Sequence, residues 1–308
     1  MATAFYTHPA CRLHEMGPGH PECPERLAAI DVELKISQLD ERLQRREAPL
    51  ATEQQLALVH TEHHISRIKR HIPARGYFQI DGDTLLNPSS WTAALAAAGA
   101  AIAATDAVLA GQVNNAFCAV RPPGHHATPT NAMGFCLFNN VALAAQHALT
   151  DCGLERVAIV DFDVHHGNGT QAVFLDDGRV LMVSFFQHPL YPYSGTEANS
   201  ANMQNIPVPA NTDGTVVRAL VEQHWLPALH KHRPQMIFIS AGFDAHRDDP
   251  IGQMRLVQED YKWMTQQIRQ IADQYSEGRI VSCLEGGYNT TALALSVVAH
   301  IEAMAAHD

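Results

Sequence analysis

The 308-residue sequence is poor in cationic side chains and has no long uninterrupted apolar run. Lys and Arg number 21 against 32 Asp and Glu, which gives a formal charge of −11. Binding along a phosphate backbone needs clustered Lys and Arg, so nucleic acid is not an expected partner. The longest weakly polar stretch, 91–111, is mostly alanine with Thr and Asp inside it. It is typical of a buried helix and not of a membrane span.

Cysteine is scarce and is not arranged in pairs. The six cysteines include no C-x-x-C pair, which fits neither a disulfide framework nor a zinc ribbon. The first residues carry neither a basic leader nor an apolar run, so no secretory signal is predicted. These absences predict a cytoplasmic protein with reduced, mostly buried thiols and no membrane partner.

Short aliphatic runs alternate with longer helical patterns along most of the chain. This alternation is the signature of βαβ units and predicts an α/β fold with a central parallel sheet flanked by helices. No repeat or linker-like segment interrupts it, so we expect one domain over 1–308. The predicted strands are 116–120, 156–160, 180–185, 236–240 and 279–284. The predicted helices are 91–109, 139–149, 216–231 and 258–275, and the predicted long loops are 14–24 and 187–209.

Polar clusters follow four of the predicted strands at the point where each strand ends. Ligands of open parallel sheets bind outside the carboxyl ends of the strands. We therefore expect the four clusters to converge on one rim of the sheet. They occupy 121–126, 161–170, 241–246 and 285–288.

Three residues of these clusters form a candidate metal site. Asp163 and His165 are two positions apart, and such positions point the same way in an extended chain. Asp244, from another strand end, would complete a set of three ligands and leave an open position, as a catalytic divalent site requires. Carboxylate and imidazole ligands suit zinc, and iron(II), cobalt and manganese are compatible with the same set.

Two adjacent histidines and one tyrosine are the candidate catalytic groups. His125 and His126 lie in a Pro/Gly-shaped loop and titrate near neutral pH, so they can take a proton from water and return it to a leaving amine. Asp161 is placed to accept the N–H of an imidazole and so orient it. Tyr288 follows two glycines and can direct a phenol O–H at a developing oxyanion.

The sequence holds 19 histidines, and most belong to none of these clusters. The segments 60–64 and 230–232 are histidine-rich but follow no predicted strand and have no carboxylate partner. We predict that both segments lie on the surface.

At these motifs the sequence resembles the histone deacetylase superfamily, which includes acetylpolyamine amidohydrolases and acetoin-utilisation proteins. The resemblance extends over nearly the whole chain and implies an arginase-deacetylase-like α/β fold. It also implies zinc-dependent removal of an acetyl group from an amine. Asn168, where class I members usually carry an aspartate, places the sequence near the class II branch. The motifs are His20-Pro-Glu-Cys-Pro-Glu-Arg-Leu27, Arg121-Pro-Pro-Gly-His-His126, Gly134-Phe-Cys-Leu-Phe-Asn139, Asp161-Phe-Asp-Val-His-His-Gly-Asn-Gly-Thr170, Ala241-Gly-Phe-Asp244 and Glu285-Gly-Gly-Tyr288.

The resemblance implies a role for each matching position. His126 would be the general base and then the general acid, with Asn168 as its partner. His125, oriented by Asp161, would be an electrostatic helper, and Tyr288 would polarise the acetyl carbonyl. The implied zinc ligands are Asp163, His165 and Asp244. The implied substrate channel is Gly134, Phe135, Tyr191 and Ile251, and the implied inner potassium site is Asp161, Asp163, His165, Ser184 and Phe185.

The leading hypothesis from the sequence is a deacetylase of Nε-acetyl-lysine in proteins or peptides. Ile251 stands where polyamine-selective relatives carry a glutamate, and an apolar residue there favours acetyl-lysine. One alternative is a hydrolase of acetylpolyamines or other small acetylated amines. Another is a catalytically silent acetyl-lysine-binding protein, against which Tyr288 argues. The oligomeric state is left open.

Overall fold

A computed structural model describes residues 2–197 and 200–305. Eight parallel strands form one sheet in the order β2-β1-β5-β10-β9-β6-β7-β8, and β3 and β4 form a separate antiparallel hairpin. In chain order the strands are β1 (Thr3–Thr7), β2 (Leu43–Glu47), β3 (Phe78–Gln79), β4 (Leu85–Leu86), β5 (Asn115–Cys118), β6 (Val157–Asp161), β7 (Val180–Gln187), β8 (Met203–Val208), β9 (Ile237–Ala241) and β10 (Ile280–Leu284).

Helices flank this sheet. Helix α4 packs against α5 and over β1, β5 and β10, whereas α10 packs between α1 and α9 and over β5. The helices are α1 (Glu25–Ile36), α2 (Glu53–Leu56), α3 (Glu62–Arg70), α4 (Ser90–Leu109), α5 (Asn140–Thr150), α6 (Asn168–Phe174), α7 (Gly214–Leu220), α8 (Leu226–His232), α9 (Gln258–Tyr275) and α10 (Thr290–Ala305). A π-helical turn, Val221–Trp225, joins α7 to α8.

The predicted parallel α/β architecture is confirmed. Strands β5, β6, β9 and β10 are buried along their whole length, which explains why their sequences are mostly apolar. The predicted strands agree with β5, β6, β7, β9 and β10 to within two residues at each end. The predicted helix 216–231 is the continuous α7, π-turn and α8.

Helix α4 is long and apolar enough to cross a membrane by length and composition alone, but 72% of its apolar window is buried inside the protein. Its small alanine side chains form much of its contact with the sheet and with α5. The expectation of a buried core helix at 91–109 is therefore confirmed.

The prediction of a continuous irregular loop over 187–209 is wrong for its last part, which contains β8. This strand lies at the edge of the sheet, is partly exposed and includes Pro207, so it lacks the aliphatic run of an inner strand. Residues 198–199 of that segment lie outside the described residues. Strands β1 and β2, also at or next to an edge, were not predicted.

The four strands that precede the polar clusters are neighbours in the order β5-β10-β9-β6. All four run parallel, so their carboxyl ends meet at one rim at the centre of the sheet. The fold thereby positions the clusters together, as expected from their places in the chain.

Candidate active site

The three candidate metal ligands meet beyond β6 and β9. His165 Nδ1 lies 3.0 Å from Asp163 Oδ1 and 3.2 Å from Asp244 Oδ2. None of the three residues is more than 7% exposed. Backbone N–H groups orient both carboxylates, because Gly286 donates to Asp163 Oδ2 over 2.9 Å and Val164 donates to Asp244 Oδ1 over 2.8 Å.

This donor set fits a divalent cation. Asp244 Oδ2 is buried and has no hydrogen-bond partner of acceptable geometry within the described part of the chain. Burial and the nearby charge of Asp163 raise the pKa of Asp244 to about 7, because two buried carboxylates repel. A Cβ atom at Gly286 would lie 2.0 Å from Asp244 Oδ2, so glycine is needed there to leave that oxygen free. Carboxylate oxygens and an imidazole nitrogen are ligands that zinc accepts.

The adjacent histidines have different polar partners. His125 Nδ1 lies 2.9 Å from Asp161 Oδ2, and His126 Nδ1 lies 2.7 Å from Asn168 Oδ1. Burial opposes protonation of His125, but Asp163 and Asp161 outweigh it and raise its pKa well above the usual range. Burial and the charge of His125 lower the pKa of His126 well below the usual range. The carboxylates therefore favour the charged form of His125, whereas burial beside His125 favours the neutral form of His126.

Glu285 supports the histidine loop, a role that was not predicted from the sequence. Its Oε2 accepts hydrogen bonds from the backbone N–H of Gly124 at 2.6 Å and of His125 at 3.1 Å. Its place at the end of β10, in the same cluster as Tyr288, was the available signal.

A pocket of about 110 Å³ lies over the histidines and has largely aromatic walls. The ring centroids of Phe135 and Tyr288 are 5.9 Å apart, and those of His126 and Tyr191 are 5.2 Å apart. All four predicted channel residues are brought together here. The lining residues are Asp83, His126, Gly134, Phe135, His165, Tyr191, Ile251 and Tyr288.

The backbone of the pocket wall lies directly on His126. A Cβ atom on Gly134, whose φ is +55°, would lie 2.4 Å from His126 Cδ2. Asp83 Oδ1 accepts from Gly134 N at 3.0 Å, and Thr84 Oγ1 accepts from Phe135 N at 3.0 Å. The loop between β3 and β4 therefore fixes the channel wall. Asp83 was not predicted as a site residue, since the Asp-Gly-Asp turn was its only local signal.

Tyr288 is held by its backbone and by its ring face. Asp249 Oδ2 accepts from Tyr288 N at 2.7 Å, and the Arg26 guanidinium lies 5.2 Å from the ring centroid. Arg26 also donates to the carbonyls of Gly287 at 2.7 Å and Glu285 at 2.6 Å. Burial and nearby carboxylates raise the pKa of Tyr288 well above the usual range, so the phenol keeps its proton.

A buried ion cluster anchors Arg26 in turn. The Glu22 carboxylate binds Arg26 and Arg121, and all three residues are fully buried. Burial opposes ionisation, but the two guanidinium groups lower the pKa of Glu22 to about 2. These residues lie within the motifs quoted above, yet no role was predicted for them. Arg121 is 99 positions from Glu22, and the carbonyls that Arg26 binds are 259 and 261 positions from it.

The prediction that the histidines of segment 60–64 lie on the surface is wrong for His60 and His64, which are 2% and 0% exposed. His60 Nδ1 lies 3.0 Å from Thr128 O, and His60 Nε2 accepts from Asn139 N at 2.9 Å. His63 is exposed as predicted. In the segment 230–232 His230 is exposed and His232 is half-buried.

The residues of the expected potassium site also lie together. Asp161 pairs in register with Ser184 between β6 and β7, and both are buried with Phe185. Ser184 Oγ donates to Asn205 Oδ1 at 2.9 Å. The occupant of this position stays a prediction.

This fold and this constellation define a class of protein. A parallel α/β sheet carries two carboxylates and an imidazole that can bind one cation, next to a buried histidine pair and a phenol, at the base of a narrow pocket. Such a combination is typical of hydrolases in which a metal ion activates water for attack on a carbonyl carbon.

Comparison with known proteins defines the family. The family described as "Histone deacetylase domain" matches residues 20–304. The Histone deacetylase-like amidohydrolase of Pseudomonas aeruginosa is 38% identical, over 97% of this chain and 85% of its own length. The Polyamine deacetylase HDAC10 of Mus musculus is 37% identical, over 92% of this chain and 44% of its own length. The crystal structure of the HDA15 HD domain has a TM-score of 0.93 and 34% identity, covering 99% of this chain and 89% of that one.

The chain therefore belongs to the histone deacetylase family, and it is a deacetylase-type amidohydrolase. The resemblance noted from the sequence motifs is confirmed.

Proposed function

We propose that this protein is a zinc-dependent deacetylase that releases acetate from the Nε-acetyl-lysine of proteins or peptides. The observation that carries the proposal is the pocket geometry. Aromatic walls of Phe135 and Tyr191 lead to a base formed by His126, His165 and Tyr288. Such a pocket accepts an extended aliphatic stem with an amide at its tip.

The residues at the base supply acid-base and electrostatic catalysis. A divalent cation held by Asp163, His165 and Asp244 supplies Lewis-acid activation of water and of the amide carbonyl when bound. The neutral His126 takes the proton of the attacking water at Nε2 and returns it to the leaving amine. The charged His125 stabilises negative charge that develops beside it, and the protonated Tyr288 donates a hydrogen bond to the developing oxyanion.

The substrate preference depends on the mouth of the pocket. Ile251 lies in the lining beside Tyr288 and offers no charge to a second cation of a polyamine. A specific observation favours the alternative, a small acetylated amine. Asp83 also lines the pocket, and its carboxylate can attract an ammonium group. The name of the mouse relative points the same way.

A substrate panel separates the two hypotheses. On zinc-loaded protein, kcat/KM would be measured for an acetyl-lysine peptide, acetylputrescine, acetylcadaverine and acetylspermidine. We expect the peptide to be preferred by at least about tenfold, the order of magnitude of 1.4 kcal/mol of transition-state binding. Preference for the small acetylated amines would reject the proposal that acetyl-lysine is the substrate. Release of no acetate from any substrate by metal-replete protein would support the silent binding protein instead.

Two variants control that assay. Ile251→Glu adds the carboxylate that polyamine-selective relatives carry at this position. It should raise kcat/KM for acetylspermidine relative to that for the peptide. Asp83→Ala removes the existing carboxylate and should lower kcat/KM for the polyamines more than for the peptide, if Asp83 acts by charge and not only by holding Gly134.

We also propose that a potassium ion lies between β6 and β7 near Asp161 and Ser184. The support is the buried in-register pairing of these two residues beside the metal ligand Asp163. A rise in thermal stability with KCl that an equal concentration of tetramethylammonium chloride does not reproduce would test it.

A further inference from the structure

A second cluster of metal-ligating side chains lies apart from the active site. Asp106 of α4 lies beside His147 of α5 and Cys152, which follows α5. His147 Nε2 lies 2.7 Å from Asp106 Oδ1 and 3.5 Å from Cys152 Sγ, and Cys152 Sγ lies 3.8 Å from Asp106 Oδ1. We propose that these three residues bind a divalent cation of the zinc class.

The observed distances agree with tetrahedral coordination. A zinc ion about 2.3 Å from sulfur and about 2.0 Å from nitrogen holds those two atoms about 3.5 Å apart. The Sγ–Nε2 separation already has this value. The Asp106 oxygen, which lies 2.7 Å from Nε2 and 3.8 Å from Sγ, must move about 0.6 Å away from the nitrogen and about 0.3 Å toward the sulfur. The Asp106 side chain is 57% exposed, which leaves room for this adjustment. Because Asp106 and Cys152 are both exposed, the fourth coordination position of the metal ion would open to solvent.

The imidazole is already oriented as a ligand. His147 Nδ1 lies 2.8 Å from Asp151 Oδ2, which leaves Nε2 directed at Asp106 and Cys152. A carboxylate on the far nitrogen of a ligating histidine is the usual outer support of a zinc site. The His147 side chain is only 11% exposed, so its ring is fixed by packing.

The end of α5 places the thiol. Cys152 N donates to His147 O at 3.2 Å, and Gly153 then adopts φ +74°, which reverses the chain. This turn brings Cys152 over the ring of the histidine five positions earlier. Since His147 lies eight positions along α5 from Asn139, where the helix adjoins the loop that carries His125 and His126, the cluster lies roughly 12 Å along the helix from that loop. Binding here is therefore distinct from catalysis.

Cobalt(II) distinguishes the two sites, because only the second contains a thiolate. Metal-free protein would be titrated with cobalt(II) while the thiolate-to-cobalt charge-transfer band in the near ultraviolet is recorded. We expect two equivalents to bind, with the charge-transfer band rising in step with one of them.

Matched variants assign that band. Cys152→Ser should abolish it and leave one equivalent bound, whereas Cys23→Ser, at the other thiol that is not buried, should keep both. Asp151→Asn should weaken the binding that gives the band by about 10- to 100-fold, as loss of an outer carboxylate does. Deacetylase activity should be unchanged in Cys152→Ser, and circular dichroism would verify its fold.

Absence of the band in the unmodified protein, or its persistence in Cys152→Ser, would overturn the proposal. So would binding of a single equivalent that Asp244→Asn removes completely. The His147 ring would then only bridge the carboxylates of Asp106 and Asp151, and no metal would bind there. These results do not depend on which substrate the enzyme hydrolyses.

Discussion

Among the residues that the structure describes, two pairs of buried histidines have tilted rings, and the two pairs differ in their partners. The ring centroids of His125 and His126 are 4.1 Å apart, and those of His60 and His64 are 5.1 Å apart. His125 faces two carboxylates, whereas His60 and His64 contact backbone groups of the loop between His126 and α5.

The difference in partners sets the difference in charge. Burial lowers the pKa of His60 to about 3 and that of His64 below its usual value, so both stay neutral. Carboxylates overcome the same burial at His125 and raise its pKa. Burial removes a histidine from solvent in both places, but only the pair beside the carboxylates and the candidate metal site has the surroundings that the proposed proton transfer requires. Four substitutions test this contrast.

Asp244→Asn should have the largest effect. The amide keeps the volume and the hydrogen bond from Val164 N but removes the anionic ligand oxygen. We expect metal affinity to fall by more than the roughly 100-fold that an outer-shell change costs, and deacetylation to fall with it. Metal analysis after dialysis measures this. Full metal content in the variant would refute the assignment of Asp244 as a ligand.

Tyr288→Phe should leave the metal bound and slow the reaction. Loss of one preorganised oxyanion donor costs about 10²- to 10³-fold in kcat. Tyr275→Phe is the matched control, because its hydroxyl contacts only His230 near the surface. A change in KM with unchanged kcat would mean that Tyr288 binds substrate and does not stabilise the transition state.

Asn168→Asp should give His126 a carboxylate partner, as His125 already has in Asp161. A negative charge 2.7 Å from His126 Nδ1 would raise the pKa of that imidazole, because an opposite charge this close favours the protonated form. Since the proposed mechanism uses the neutral form of His126 as the base, the acidic limb of kcat/KM should move to higher pH. At a fixed pH on that limb, kcat/KM should fall by about tenfold or more, which corresponds to a rise of at least about 1 in the pKa. An unmoved acidic limb would exclude His126 as the titrating base.

The central part of the fold and the identity of the site residues could be predicted because their signals are local. Aliphatic strands buried on both faces, each followed by a polar cluster, indicate a parallel sheet and its functional rim. Edge strands β2 and β8 lack that pattern, since one is rich in charged residues and the other contains Pro207.

Long-range partners could not be predicted. The local sequence around His60 and His64 is polar, and their burial depends on a loop about 70 residues further along the chain. For the same reason neither the ring contact of Arg26 with Tyr288 nor the support of Gly134 by Asp83 was anticipated. The motifs indicate the chemistry, and distant residues determine how it is held in place.

His60→Leu should have the smallest effect on catalysis and a clear effect on stability. The variant leaves Thr128 O and the buried N–H of Asn139 without their partner, which costs about 1–3 kcal/mol for an unsatisfied group. Urea denaturation would measure the loss, with His63→Leu, exposed in the same segment, as the control. We expect kcat/KM of the folded variant to change by less than about threefold, which is under 1 kcal/mol.

The stability lost in His60→Leu should depend on pH, and this dependence tests whether His60 is neutral in the folded protein. His60 is held neutral, with its pKa lowered by burial to about 3 in the folded state against about 6.5 when unfolded. Its contribution to stability is therefore fully present above about pH 6.5 and declines as the pH falls toward about 3. His60→Leu carries no such titration, so the stability gap between the two proteins should narrow between about pH 7 and about pH 4. A gap that widened instead would mean that His60 is charged in the folded protein, and the distinction between the two histidine pairs would fail.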